Sequence, residues 1–376
     1  MFQVIFIVYY IVEKLLIERR KTMLPELPIS EQNMTNTFRD ISLTPYRLIA
    51  AGEGPRNVEL PDGTIISASD LKRNMKYPQL FAWNLEGKAL LEWVEYKLEN
   101  PDCECDLVVD SGAYSAWSRG KLFDMDEYIN FLNSNHVLDV AFWAAEADKI
   151  PGSMGVDPTE EERLAAPEES WNNYLYMIKR VKWPKKIVPI FHQGEDYSHL
   201  IRMLEYRFPD GDFIPYIGIS PRNDVHVGEK TKWYEAIWKI IYEKCAELGR
   251  DIPLTHNFGM TTISMMEQYP SCSSDSTSWV RSASFGNIMI IVNGKIKTVY
   301  VSNRNLEAPD HINHQPLAIK EAVEAVCREL GHGFSIEALV NDDKGALRPL
   351  FNLMSLNKWK QSFAYEGNQM FKEELW

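Results

Sequence analysis

Six short β-like runs in this chain end in polar residues or glycine. Asp110 ends LVVD and is followed by SGAYS, and Asp148 follows VAFWAAEA and precedes KIPG. Gln193 and Gly194 follow IVPIFH, and Gly218 sits in YIGISP. His256, Asn257 and Gly259 follow IPLT, and Asp275 lies in SCSSDSTSW. Carboxylates and imidazoles are the groups that transfer protons and, for carboxylates, attack electrophilic carbon. One aspartate at a run end is ordinary turn or cap chemistry. Six such ends on one edge are different, because a mouth of carboxylates is destabilising unless a ligand or partner groups satisfy it.

To bring these ends together the runs must be parallel strands. Runs with β character fall at residues 47–51, 106–110, 137–143, 187–191, 213–219, 252–256, 270–275 and 288–292. Helical patterns lie between several of them, at 89–98, 125–134, 168–181, 197–206 and 232–248. Strand followed by helix about eight times predicts an α/β protein with a (β/α)8 TIM-like barrel, whose active face is the carboxyl end of the strands. A doubly wound open sheet is the alternative, and the glycine-rich dinucleotide fingerprint it would bring is missing. The predicted organisation is an N-terminal extension at 1–44, a barrel at 45–331 and a C-terminal helical segment at 332–376 packed on the barrel. That segment reads as two short helices with a loop at 341–345, preceded by an amphipathic helix at 316–330.

The composition fits this reading. The chain has 376 residues, 45% of them hydrophobic and 25% charged, which excludes wholesale disorder and fibrous classes. A net charge of -13 argues against a broadly basic nucleic-acid surface but leaves room for a local basic groove. Five irregularly spaced cysteines suit a reducing compartment. The apolar stretch from Phe2 to Val12 falls short of the roughly 20 residues a spanning helix needs, and the basic start and cleavage site of a secretory signal are missing. Residues 1–21 therefore read as an amphipathic extension upstream of a functional start near Met23.

Three motifs carry a family resemblance. DSGAYS at 110–115 resembles the DSGG-aromatic motif of the tRNA-guanine transglycosylases, and FHQGE at 191–195 is similar to their strand-end QGG motif. DSTSWVRSASFG at 275–286 aligns without gaps on the segment after their nucleophilic aspartate, with Arg281, Ala283 and Gly286 at matching positions. The resemblance covers roughly residues 46–301. The family's C-x-C-x-x-C zinc site is missing, since Cys327 is the only cysteine in that region, and Cys103-Glu-Cys105 lies far upstream without further ligands. DSGAYSAW, FHQGE, HNFGMT and DSTSW look instead like the compact phage and bacterial branch that places deazaguanines in DNA.

The resemblance implies a base exchange at C1′ through a covalent aspartyl intermediate without a cofactor; no metal is expected either, since no His/Asp/Glu cluster has ligand spacing. Asp275 would be the nucleophile and Asp110 the general acid/base. An attacking carboxylate must stay ionised, so donors are expected from Ser273, Ser276 or backbone amides, whereas Asp110 should sit drier with a raised pKa. Guanine's N1–H and amine call for a carboxylate, Asp148 or the alternative Glu146 two residues earlier. Gln193 and the backbone of Gly194 or Gly218 would meet O6, the glycines allowing close approach. Ser111 and Gly112 complete the first motif, and Tyr114 and Phe258 either sandwich the base or simply pack. His192 and His256 are read as orienting groups or satisfied barrel histidines.

The partners implied are a nucleic acid, DNA ahead of tRNA, and a 7-deazaguanine base such as preQ0, with a partner protein or a homodimer and no membrane. Arg281, Lys295, Lys297 and Arg304 are the phosphate candidates, and the lysine turn at 182–186 belongs on the opposite face because it precedes its strand. The implied location is the cytoplasm, the host's if the chain is viral.

Overall fold

The computed structural model describes residues 46–362 apart from 154, 223, 261 and 270. The expected extension at 1–44 and the end of the C-terminal segment lie outside the described residues.

Nine short strands form one all-parallel sheet: β1 Arg47–Ala51, β2 Gln79–Ala82, β3 Leu107–Asp110, β4 Trp143–Ala145, β5 Ile187–Val188, β6 Ile190–His192, β7 Tyr216–Ser220, β8 Leu254–Asn257 and β9 Ser273–Ser276. Their order is β5-β4-β3-β2-β1-β9-β8-β7-β6. The strands at the two ends of that order, β5 and β6, are separated only by Pro189, so the sheet nearly closes on itself like a barrel. Leu48 to Ala51 and Leu107 to Val109 are buried without alternation, as expected of parallel strands covered on both faces. The ring encloses packed side chains. Trp143 of β4 meets His256 of β8 with centroids 4.7 Å apart, although neither strand neighbours the other.

Pro189 cannot donate to a ladder, and the join is mended by a side chain. Glu146 N donates to Val188 O at 3.0 Å, and its own carboxylate Oε1 accepts from Ile190 N at 2.7 Å.

Helices fill the crossovers: α1 Ala68–Asn74, α2 Trp83–Glu99, α3 Ala113–Ser118, α4 Met125–Asn133, α5 Val137–Val140, α6 Glu160–Ile178, α7 Tyr197–Glu205, α8 Val227–Leu248, α9 Ile263–Gln268 and α10 Ser278–Ser284. Their starts are legible as caps: Thr159 and Glu162 form a capping box on α6, and Asp196 caps α7. On α8, Trp233, Tyr234, Ile237, Trp238, Ile241 and Cys245 make one buried stripe at helical spacing. An antiparallel ribbon, β10 Asn287–Val292 with β11 Lys295–Tyr300, follows, then α11 Leu317–Leu330, α12 Ile336–Val340 and α13 Leu347–Ser362.

Two expectations need correction. The run at 137–143 is mostly the short helix α5, and its strand is displaced to Trp143–Ala145. The run at 288–292 pairs with β11 across an Asn293-Gly294 turn and lies outside the parallel sheet. Its place in the sheet is taken by β2, which the sequence reading passed over. The lysine turn serves the structure: Lys182 pairs with Asp139, Lys185 with Asp210 and Asp212, and Lys186 donates to Leu138 O and Ala141 O.

Candidate active site

All nine strands run the same way, so their carboxyl ends share one mouth. Asp110 is the last residue of β3, Asp275 the third of four in β9, and Asp148 lies three residues past β4. Burial chiefly, then the charges of Asp148, Asp275 and Glu86, push the Asp110 carboxyl up to about 7 against a hydrogen bond from Gly112 N at 2.9 Å. Gly112 has φ +73, and an added Cβ would lie 2.0 Å from Asn84 Oδ1, so any other residue would strain the backbone and push the Asn84 side chain aside. Asn84 Nδ2 donates to Gly112 O at 2.8 Å, and Ser111 Oγ, buried, accepts from Ala113 N. The DSG turn is thereby fixed from both sides.

Asp275 is held differently. Its Oδ1 accepts from Gly259 N at 2.8 Å and lies 3.2 Å from His256 Nε2. The serines expected to donate are engaged elsewhere: Ser273 Oγ contacts His256 Nδ1 and Tyr216 OH, and Ser276 Oγ donates to Ser278 Oγ. The helix that follows is pinned by Trp279, whose Nε1 donates to Ala51 O at 2.9 Å and whose carbonyl accepts from Asn352 Nδ2 at 2.8 Å.

Asp148 has its Oδ2 3.1 Å from His192 Nε2. Burial works against the charged imidazole, but Asp148 and then Glu195 outweigh it and raise the His192 pKa. Glu195 Oε2 accepts from His192 N, and burial raises this carboxyl also. Gln193 Oε1 accepts from Arg222 N at 3.0 Å, which leaves the amide nitrogen as the free donor of that side chain. Gly194 has φ +109, a conformation that side chains rarely adopt.

Gly218 makes room for Phe258 rather than for a ligand: an added Cβ would lie 2.6 Å from Phe258 Cε2. Phe258 and His256 have centroids 4.5 Å apart, and with Trp143 they form an aromatic floor. Tyr114, by contrast, is 64% exposed beside Trp117 on α3, and Arg281 faces solvent on α10, so neither closes on that floor. Glu146 is drawn into the seam at Pro189 and away from the role of base reader.

Sequence reasoning missed Glu86, Glu195, Asn84 and Trp143. Glu86 lies four residues past β2, where it accepts from Ala82 N and Glu53 N, so the missed strand hid the residue with it. Among the described residues no group of three or more His, Cys, Asp or Glu is placed to hold a metal ion, and no helix is long and apolar enough to cross a membrane. All five cysteines are free.

Compared with known proteins, the chain matches no family model and no curated protein.

Proposed function

We propose that this chain is a guanine transglycosylase that exchanges guanine in DNA for a 7-deazaguanine base. The observation that carries the reading is the convergence of Asp110, Asp148 and Asp275 on one strand-end mouth in two different settings. Asp275 accepts two hydrogen bonds and suits attack on C1′; Asp110, half-buried among like charges, suits giving and taking a proton. In this mechanism Asp275 forms the bond to C1′ as the guanine bond breaks, and Asp110 hands its proton to the departing base. The incoming deazaguanine returns a proton to Asp110, attacks C1′ and releases Asp275, so the configuration is retained. Asp148 reads the guanine N1–H and amine, oriented by His192, while the Gln193 amide nitrogen donates to O6.

The same reading takes the nearly closed sheet as a (β/α)8 barrel in which β5, Pro189 and β6 count as one strand. It implies a target base flipped out of its stack and a cytoplasmic location, the host's for a viral chain. The test is nucleoside mass spectrometry of DNA and tRNA from cells expressing the chain and supplied with a deazaguanine. Modified deoxynucleoside is expected. Modification confined to tRNA would transfer the reading to tRNA, and release of free base without incorporation would replace it by hydrolysis.

A further inference from the structure

A mouth lined with carboxylates repels phosphate, so a nucleic-acid substrate must be gripped elsewhere. A groove of about 500 Å³ lies between α10, the β10–β11 ribbon and the loop ahead of α13. Its walls include Arg304, Lys344, Arg348, Phe285 and Tyr300, with one carboxylate, Asp343. That carboxylate is already engaged, its Oδ1 accepting from Asn303 Nδ2 at 2.8 Å. The neighbouring Asp342 is spent on capping α13, accepting from Ala346 N, Leu347 N and Arg348 N.

Arg348 is only 4% exposed, and its Nε donates to Leu339 O. Its Nη2 has no hydrogen-bond partner, although an unpaired buried guanidinium nitrogen is costly. Phe285 stands at the rim, 67% exposed. Cations with an open aromatic face in one groove are the elements of single-strand nucleic-acid binding, the charge tracking the backbone and the ring stacking on a base. The groove is connected to the candidate site through α10: Val280, Ala283 and Ser284 line it from this helix of about 10 Å, which begins two residues after β9 ends.

We propose that this groove holds the phosphodiester backbone of the strand flanking the target nucleotide, with Phe285 stacked on a neighbouring base. The inference rests on the transglycosylase reading and adds where its substrate is held.

The test is binding of a fluorescent single-stranded oligonucleotide to the full chain across a salt series, with Arg304→Glu/Lys344→Glu and Phe285→Ala compared with the unaltered protein. All three side chains are exposed, and thermal melting confirms that the variants fold. The charge-reversed double variant should weaken binding at least about tenfold and flatten the plot of log affinity against log salt by about 1.4, the value for two lost phosphate contacts on a single strand. Phe285→Ala should cost roughly fivefold or more. Unchanged affinity and slope in both variants would overturn the groove and leave the function standing. So would inorganic phosphate binding that depends on Arg304 and Lys344 while oligonucleotide affinity does not. An unaltered protein that binds neither DNA nor RNA would overturn both.

Discussion

His256 bridges Ser273 and Asp275, with Nδ1 2.7 Å from the serine Oγ and Nε2 3.2 Å from the carboxylate. Ser273 Oγ lies in turn 2.6 Å from Tyr216 OH. The Asp275 carboxylate can only accept, so it calls for the proton on Nε2; Nδ1 then accepts from the serine hydroxyl, whose oxygen in turn lies against the tyrosine hydroxyl. His256→Ala should lower the single-turnover rate of covalent adduct formation by roughly 10–100-fold through misplacement of the carboxylate. Asp275→Asn should abolish the adduct. An adduct trapped with Asp275→Asn would refute its role as nucleophile, and an unchanged rate in His256→Ala would refute the orienting role.

The Asp110 carboxyl, raised to about 7 by burial and by its acidic neighbours, sets a pH dependence of both rate and stability. Exchange should show an apparent ionisation near neutrality that Asp110→Asn removes together with the activity. For stability, the folded protein holds this proton up to about 7 whereas the unfolded chain releases it near 4. The group's penalty is therefore absent below about pH 4, grows as pH rises from 4 to 7, and stays constant above. Asp110→Asn should melt higher than the unaltered protein at pH 8, by about 1–3 kcal/mol after allowance for a mouth open to water, and equal to it at pH 4. Equal melting at both pH values would show that the carboxyl is not raised.

Gly218→Ala would set a methyl group against Phe258 at a separation real side chains do not show. The ring must then leave its place beside His256. A stability loss of about 1–3 kcal/mol is expected, together with a raised KM for the base, measured by denaturant unfolding and steady-state exchange. A neutral outcome in both would mean that Phe258 is not fixed by this glycine.

Glu146 tests the seam. Burial, with the charges of Asp148 and Glu195, raises its pKa far above the usual carboxylate range despite the bond from Ile190 N. A protonated carboxyl should tolerate replacement by an amide, so Glu146→Gln should unfold within about 1 kcal/mol of the unaltered protein. Glu146→Ala leaves the Ile190 N–H unpaired and a void beside it, and should cost about 2–4 kcal/mol. Equal losses in the two would remove the seam role.

Much of the sheet was legible because several of its parallel strands are short, mainly apolar runs: RLIAA and LVVD stand out from their surroundings. QLFA did not, being four residues long and opening on Gln79, whose side chain is buried against backbone carbonyls of Gly52 and Leu80. The run at 288–292 misled because periodicity reports a buried strand without saying which sheet it joins; the Asn-Gly turn after it carried that information. Of the site, the positions of Asp110, Asp148 and Asp275 followed from where β-like runs stop. A backbone amide was expected among the donors to Asp275, but which groups supply them was not legible, since His256 and Gly259 reach it from a neighbouring strand and its loop, a relation that only three-dimensional register creates. Gly218 was noticed as a close-approach glycine, but what approaches is Phe258, a contact no spacing encodes.

Because β5 is laddered to β4 and β6 to β7, the proline between them works as a joint in an otherwise continuous hoop. Asp148 belongs to one arc and Gln193 to the other. A small slip at that joint would widen or narrow the space between these two side chains without breaking a ladder bond on either side. The width of the opening there is therefore held by side chains that cross the joint, the Glu146 carboxyl on the Ile190 amide and Asp148 against His192.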